Sequence, residues 1–286
     1  MTTRGRDLLE VAAVYGAVGS LGAGTLGAVH GELIFRAGVT DLVMTFAIFA
    51  VSLWRSNSSV YDAYWSVIPS LLTVWLGWHY AGESWTWMHW AVMGVVNLWS
   101  WRLTHNWARS WPGWHHEDWR YVDLREQHGR AFQFTNLFGI HLFPTVIVFL
   151  ACLGLFDVAR AESLSLGWTL AGCAVGLLGV LLELVADNQL LAFRRRPEPR
   201  PEELLQTGLW GVVRHPNYLG EMLFWWGVAL CGLGAGGAWW VTLGAVAMVL
   251  LFVLASSPMK DRRMEARRPA YAAHRSRVSA LIPGVW

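Results

Sequence analysis

Charge is what this sequence has least of. Asp, Glu, Lys and Arg make up 15% of its 286 residues, against about 25% in a typical soluble domain, and the formal net charge is only +2. The low charge excludes a solvated, disordered chain, and the small excess gives nucleic acid nothing to bind. Cysteine is as sparse. Cys152, Cys173 and Cys231 each stand alone in an apolar run, which excludes a disulfide scaffold and a cysteine metal centre. Paired histidines are missing as well. None of the ten lies three to five residues from another, so the imidazoles cannot converge on two irons as in a membrane hydroxylase or desaturase. His115-His116-Glu117-Asp118 sets its polar groups at adjacent positions, which do not point at one ion on a regular helix. No metal site is expected. Paired broken helices in an internal repeat, a mark of secondary transporters, are not evident either.

Apolar residues supply 55% of the chain, and runs near bilayer-spanning length recur along most of it. Eight candidate spans fall near 9–30, 38–54, 62–80, 85–104, 134–154, 166–187, 218–235 and 238–256. The expectation is an all-α fold: a polytopic membrane bundle of seven to eight transmembrane helices, with residues 1–286 forming one integral membrane domain. Residues 9–30 are rich in Gly, which suits close helix packing in lipid. They carry Glu10 and no clear small-residue cleavage site, so they read as a retained segment and not a signal peptide. The polar segments are 105–133, 188–217 and the tail from 257. With eight spans these share one side with the N-terminus and the loop 55–61, and that side holds 19 of the 22 Lys and Arg. By the positive-inside rule it is cytoplasmic. Eleven of the 20 Trp lie between Trp75 and Trp119, as an interfacial belt, as the wall of a flat apolar cavity, or as both.

Two segments carry chemistry. In the first, Glu183, Asp187 and Arg194 lie within 40° of one another around a helix at 100° per residue. Such groups at the end of an apolar helix should face the bundle interior or water, as an ion pair or as part of a site. In the second, Gly208-Leu-Trp-Gly-Val-Val-Arg214-His215-Pro216-Asn217-Tyr218-Leu-Gly220-Glu221, the Gly and Pro punctuate a loop that leads into a helix starting near Asn217. Free N–H groups at a helix start suit a phosphate or a carboxylate, and Arg214 and His215 stand just before it. Glu221 shares a face with Asn217 and needs a partner, either an arginine or a ligand hydroxyl or amide. Asn217 also reads simply as a helix cap.

The GLW-x3-RHPNY-x-GE segment, preceded by an acidic helix with Asp187-Asn-Gln189, resembles the bacterial membrane family grouped with the steroid 5-alpha-reductases. The tail agrees, with Pro258, Asp261, a basic run, Arg-Pro-Ala-Tyr271 and Leu-Ile-Pro283. The likeness covers most of 60–286 and is weakest over the first fifty residues. It implies a bacterial inner-membrane reductase with a cytoplasmic NADPH site in the C-terminal half, 134–286. Carried over by position, Asp187, Arg194, Asn217, Glu221 and Asp261 would contact the cofactor, with Arg214, His215, Tyr218 and Tyr271 nearby. Glu183 stands where the reductases carry a cofactor-binding Asn. The Glu and Tyr with which steroid reductases polarise the substrate carbonyl have no clear counterpart, and Asp62 and Tyr64 are the nearest substitutes. The chemistry coheres, because hydride transfer to an activated C=C needs a nicotinamide against a dry cavity and an acid near the carbonyl oxygen. The segment Tyr61-Asp62-Ala-Tyr64-Trp65-Ser also reads as an interfacial helix start. The expected substrate is an apolar small molecule or lipid from the bilayer.

Two rivals stay open. Isoprenylcysteine carboxyl and phospholipid methyltransferases of membranes carry a similar RHP-x-Y-x-G segment and bind S-adenosylmethionine in the corresponding place. The basic run 194–196 favours NADPH, whose extra phosphates need cations. A lipid-binding or transport bundle that uses the carboxylates as a proton relay is the non-enzymatic alternative.

Overall fold

In lipid the backbone satisfies its polar groups in helices or in closed barrels, and uninterrupted apolar runs, without a barrel strand's alternation, select the helix. The computed structural model describes residues 2–82, 85–197 and 202–285, and no β-strand occurs among them. The chain begins with α1 (Thr3–Ala28) and α2 (Leu33–Arg55). A 3-10 turn over Ser58–Ala63 leads into α3 (Tyr64–Tyr80), and α4 (Trp87–Ser110) follows. Next come α5 (Trp119–His128), α6 (Phe132–Thr135), a π-helical stretch Asn136–Leu142, α7 (Phe143–Ala151) and α8 (Leu153–Arg160). The last third holds α9 (Leu166–Arg194), short α10 (Leu209–Val212), α11 (Pro216–Gly234) and α12 (Leu243–Leu251). A second π stretch, Phe252–Ser256, runs into α13 (Ser257–Arg267), and α14 (Tyr271–Arg275) ends the series.

Each of the eight expected spans coincides with helix. Among the described residues five helical runs are long and apolar enough to cross a bilayer: Thr3–Ala28, Leu33–Arg55, Trp119–Arg160, Leu166–Arg194 and Trp239–Arg267. The other three, α3, α4 and α11, are short or rich in Trp and polar groups. The protein is a helical integral membrane protein.

The packing is inside-out relative to a soluble bundle. On α9 the leucines at 170, 178 and 181 are exposed, while Gly172, Gly176, Gly179 and Glu183 are buried. With no hydrophobic drive between helices in lipid, small residues let backbones approach and gain dispersion contacts. A Cβ on Gly220 of α11 would stand 2.7 Å from the Gly179 carbonyl of α9, and one on Gly227 would stand 2.6 Å from the Gly172 carbonyl. The α9–α11 seam is therefore backbone against backbone.

The five segments expected on one side meet at one end of the bundle. Arg4 donates to the Trp111 carbonyl at 2.8 Å, and Asn57 to the Trp114 and His116 carbonyls at 2.9 Å. Arg263 of the tail pairs with Asp123 at 2.9 Å. The Arg214 and His215 amides donate to the Ser279 and Ala280 carbonyls at 2.9 and 3.0 Å.

Candidate active site

At that polar end, a cleft of about 160 Å³ opens between the end of α9, the 204–218 loop and helix start, and α13–α14. Local chemistry shapes it. Gly208 takes φ +60°, a conformation that favours glycine, and next to it the Leu209 amide donates to Gln189 Oε1 at 3.0 Å. Trp210 Nε1 donates to the Ala186 carbonyl at 2.9 Å. These bonds fold the loop back over α9. Pro216 then starts α11 with its φ preset and no N–H to leave unpaired.

Six of the ten residues expected around the cofactor line this cleft: Arg194, Arg214, His215, Asn217, Tyr218 and Tyr271. Two further cations, Lys260 and Arg268, line it as well. Both lay within the basic tail, where nothing in the spacing separated them from solvated charges. Asp261 does not line the cleft and instead holds its wall together. Arg214 Nη2 and His215 Nε2 approach its carboxylate at 2.8 and 2.9 Å, and the Tyr271 hydroxyl donates to it. Burial lowers the His215 pKa, against the pull of Asp261. Burial, then the bond to Asp261, raises that of Tyr271. Both rings are therefore neutral at pH 7.

Glu183, Asp187 and Glu221 lie deeper. Arg102 of α4 pairs with Glu183 and, at 2.8 Å, with Asp187, which also accepts from Asn106 at 2.9 Å. One Glu183 oxygen, Oε1, is buried and has no hydrogen-bond partner among the described residues. Glu221 is buried and forms no close ion pair among the described residues, although the charge of Arg102 is near. The indole N–H groups of Trp99 and Trp225 donate to its two oxygens at 3.1 and 2.8 Å. The carboxylates expected on one ligand-facing surface thus form a buried layer that ties α4, α9 and α11 together beneath the cleft.

The two expected catalytic residues part company. Asp62 turns to α5, where it accepts from Tyr121 Oη at 2.5 Å and pairs with Arg120 at 3.2 Å. Tyr64 is buried, and its hydroxyl donates to Asp41 Oδ1 of α2 at 2.8 Å. Asp41 lines a second cavity, about 560 Å³, between α1, α2 and α3. Its walls are apolar or small, including Gly19, Gly22, Leu72 and Trp75, and Thr40 Oγ1 is buried there with no hydrogen-bond partner. The volume falls in the range of about 300–1,000 Å³ of sites that enclose a small molecule. Trp75 and Trp78 line it, Trp99 is buried in the core, and Trp87, Trp90 and Trp101 are exposed. Asp41 is the residue that sequence reasoning missed, and a lone carboxylate inside the 38–54 span was its signal.

Comparison with known proteins identifies a family. Residues 48–278 match a family described as "Protein of unknown function (DUF1295)". A Schizosaccharomyces pombe protein described as "Uncharacterized protein C594.04c" is 24% identical over 274 residues, covering 86% of this chain and 79% of its own length. The mouse Delta(14)-sterol reductase TM7SF2 is 33% identical over 91 residues, which are 27% of this chain and 22% of that protein. No solved structure matches. With the match spanning most of its length, the chain belongs to the DUF1295 family, within the steroid 5-alpha-reductase superfamily.

Proposed function

We propose that this protein is an NADPH-dependent reductase that saturates an activated C=C bond in an apolar enone, steroid-like or isoprenoid, taken from the bilayer. The observation that carries this reading is the lining of the cleft. Arg194, Arg214, Lys260 and Arg268 surround it, with Asn217 at the start of α11. Guanidinium and ammonium groups around a helix start suit phosphates. They repel the sulfonium of S-adenosylmethionine, which carries no phosphate. At about 160 Å³ the cleft is smaller than sites that enclose a whole ligand, roughly 300 Å³ and up. It therefore receives the phosphate and ribose part of a dinucleotide. When bound, the nicotinamide supplies the hydride.

The rest falls to the chain. The cavity between α1, α2 and α3 is apolar enough to hold a lipid-like substrate and keep water out. Its one acid, Asp41, sits at the wall with Tyr64 hydrogen-bonded behind it, so Asp41 is the proposed proton donor to the substrate oxygen. Tyr64 is assigned to back it, and Asp62 is not assigned a catalytic part. The positive-inside rule supports a cytoplasmic cleft, and the family resemblance supports a bacterial inner membrane as its place.

The test is a cofactor titration on detergent-purified protein, with Trp excitation and energy transfer to NADPH as the readout. Trp210 lines the cleft. Saturable transfer that survives S-adenosylmethionine and is lost in Asn217→Ala is expected. Calorimetric binding of S-adenosylmethionine without NADPH binding would make the same cleft a methyltransferase site and sink the reductase.

A further inference from the structure

Behind Asp41 runs an unbroken line of buried hydroxyls. Tyr64 Oη donates to Asp41 Oδ1 at 2.8 Å, and Thr45 Oγ1 lies 3.3 Å from Tyr64 Oη. Thr145 Oγ1, on α7, is 3.0 Å from Thr45 Oγ1 and 2.8 Å from Tyr61 Oη. Beyond Tyr61, the ring of His141 lies 4.7 Å from the tyrosine ring, and its Nε2 is buried with no hydrogen-bond partner among the described residues. His141 belongs to the π-helical stretch, an irregularity that often marks a working site. Its Nδ1 is 2.9 Å from the Asn136 carbonyl, and the Asn136 side chain accepts from Ser58 Oγ at 3.0 Å. The Ser58 amide donates to Glu117 at 2.8 Å, in the polar segment at the cleft end of the bundle. Aliphatic side chains of the same volume would pack this region of α2, α3 and α7 at no desolvation cost, so a row of hydroxyls needs another reason.

We propose that Tyr61, Thr145 and Thr45 form a proton relay that refills Tyr64 and Asp41 from the polar end of the bundle, with His141 at its outer terminus. The proposal rests on the reductase reading. Hydride addition to an enone consumes one proton, and the acid that gives it is buried at the wall of an apolar cavity. As the hydride bonds to carbon, the Asp41 O–H breaks and an O–H forms on the substrate oxygen. The Asp41 carboxylate takes the proton of Tyr64, Tyr64 that of Thr45, Thr45 that of Thr145, and Thr145 that of Tyr61. Tyr61 is refilled from the aqueous side past His141. Each hydroxyl ends the shift as it began, and one proton leaves solvent per turnover. Hydroxyls suit this task because each donates and accepts at once, and neighbours in a chain polarise one another.

The experiment reads proton access directly and needs neither cofactor nor substrate. The infrared band of the Asp41 carboxyl, assigned by its loss in Asp41→Asn, is followed after transfer of the full-length protein from water to D2O. The measurement runs across roughly pH 4 to 9, the range in which shifted carboxyls titrate. Exchange in Thr145→Val and Tyr61→Phe is expected to slow by about tenfold or more, while Thr145→Ser restores the wild-type rate. Thr73→Val removes a buried hydroxyl on α3 that lies outside the line, and it is expected to leave the rate unchanged. Wild-type exchange in Thr145→Val, or slowing in Thr73→Val equal to that in Thr145→Val, overturns the relay. So does a carboxyl band for Asp41 that appears at no pH, since a group that never holds a proton passes none. Slowed exchange in a protein that fails to bind NADPH would keep the relay and remove the reductase. Unchanged exchange in a protein that binds NADPH would do the reverse.

Discussion

Tyr64 and Asp41 are joined through the phenol twice over, for the hydroxyl reaches both the Asp41 carboxylate, at 2.8 Å, and the Asp41 carbonyl, at 3.0 Å. The second contact fixes the tyrosine to the α2 backbone, so the carboxyl and phenol stay in register at the cavity wall. Asp62, two residues from Tyr64, is held by Arg120 and Tyr121 on another face. Asp41→Asn is therefore expected to lower turnover of a reducible enone by about 10²–10⁴-fold, the usual weight of a general acid, with NADPH affinity unchanged. Asp62→Asn is expected to keep turnover near wild type. Steady-state NADPH oxidation and the fluorescence titration measure the two quantities separately. Equal loss in both variants would remove Asp41 from its assigned place.

Arg102 is the shared ion-pair partner of Glu183 and Asp187 in a region where all three are buried or nearly so. Removing one partner of such a group leaves uncompensated charge, at a cost of about 3–5 kcal/mol. Arg102→Met is expected to lower the detergent-solubilised protein's unfolding temperature sharply, and adding Glu183→Gln should recover part of the loss. Trp-fluorescence melts read both, and no recovery would mean that Arg102 acts by packing alone.

The glycine seam gives a contrast of positions. A Cβ at Gly227 would meet the Gly172 carbonyl at 2.6 Å, whereas one at Gly24 of α1 meets nothing within 4 Å. Overpacking costs about 1–3 kcal/mol, and more where backbone must move. Gly227→Ala should lower stability and the yield of monodisperse protein, and Gly24→Ala should leave both unchanged or slightly improved. Size-exclusion profiles with thermal melts decide it.

His215 predicts a pH dependence. Burial holds its pKa below the ordinary value, with Arg214 and Lys260 pushing the same way and Asp261 opposing. The unfolded chain therefore takes up the proton first. The stability tied to neutral His215 is full above about pH 6.5 and is lost as pH falls through the lower folded pKa. Melting temperatures between pH 8 and pH 5 should drop on the acid side, and His215→Gln should flatten that drop. An unchanged acid limb in the variant would assign it to other groups.

How far the sequence is legible depends on how local the signal is. Apolar runs are local, and all eight expected spans coincide with helix. The Arg214–Tyr218 segment is local too, and four of its five residues, Arg214, His215, Asn217 and Tyr218, line the cleft. The partner of Glu183 and Asp187 was not legible, because Arg102 lies 81 and 85 residues upstream and meets them only when α4 packs on α9. Glu221 could not be read as bound by two indoles, since Trp99 reaches it across 122 residues. Asp62 and Tyr64 are alike plausible as acids by residue type, but a 3-10 turn followed by a helix start points the two side chains to different neighbours.

The backbone contact between α9 and α11 divides the molecule into parts with different freedom to change. At Gly172, Gly179, Gly220 and Gly227 of the seam backbone meets backbone, so even an added methyl forces α9 and α11 apart, and the cleft above them inherits that fit. The cavity of α1, α2 and α3 is bounded by side chains, and α1 carries glycines with open space beside them. Under the proposed reductase reading, a change of substrate calls for redrawing those walls alone, within the first eighty residues.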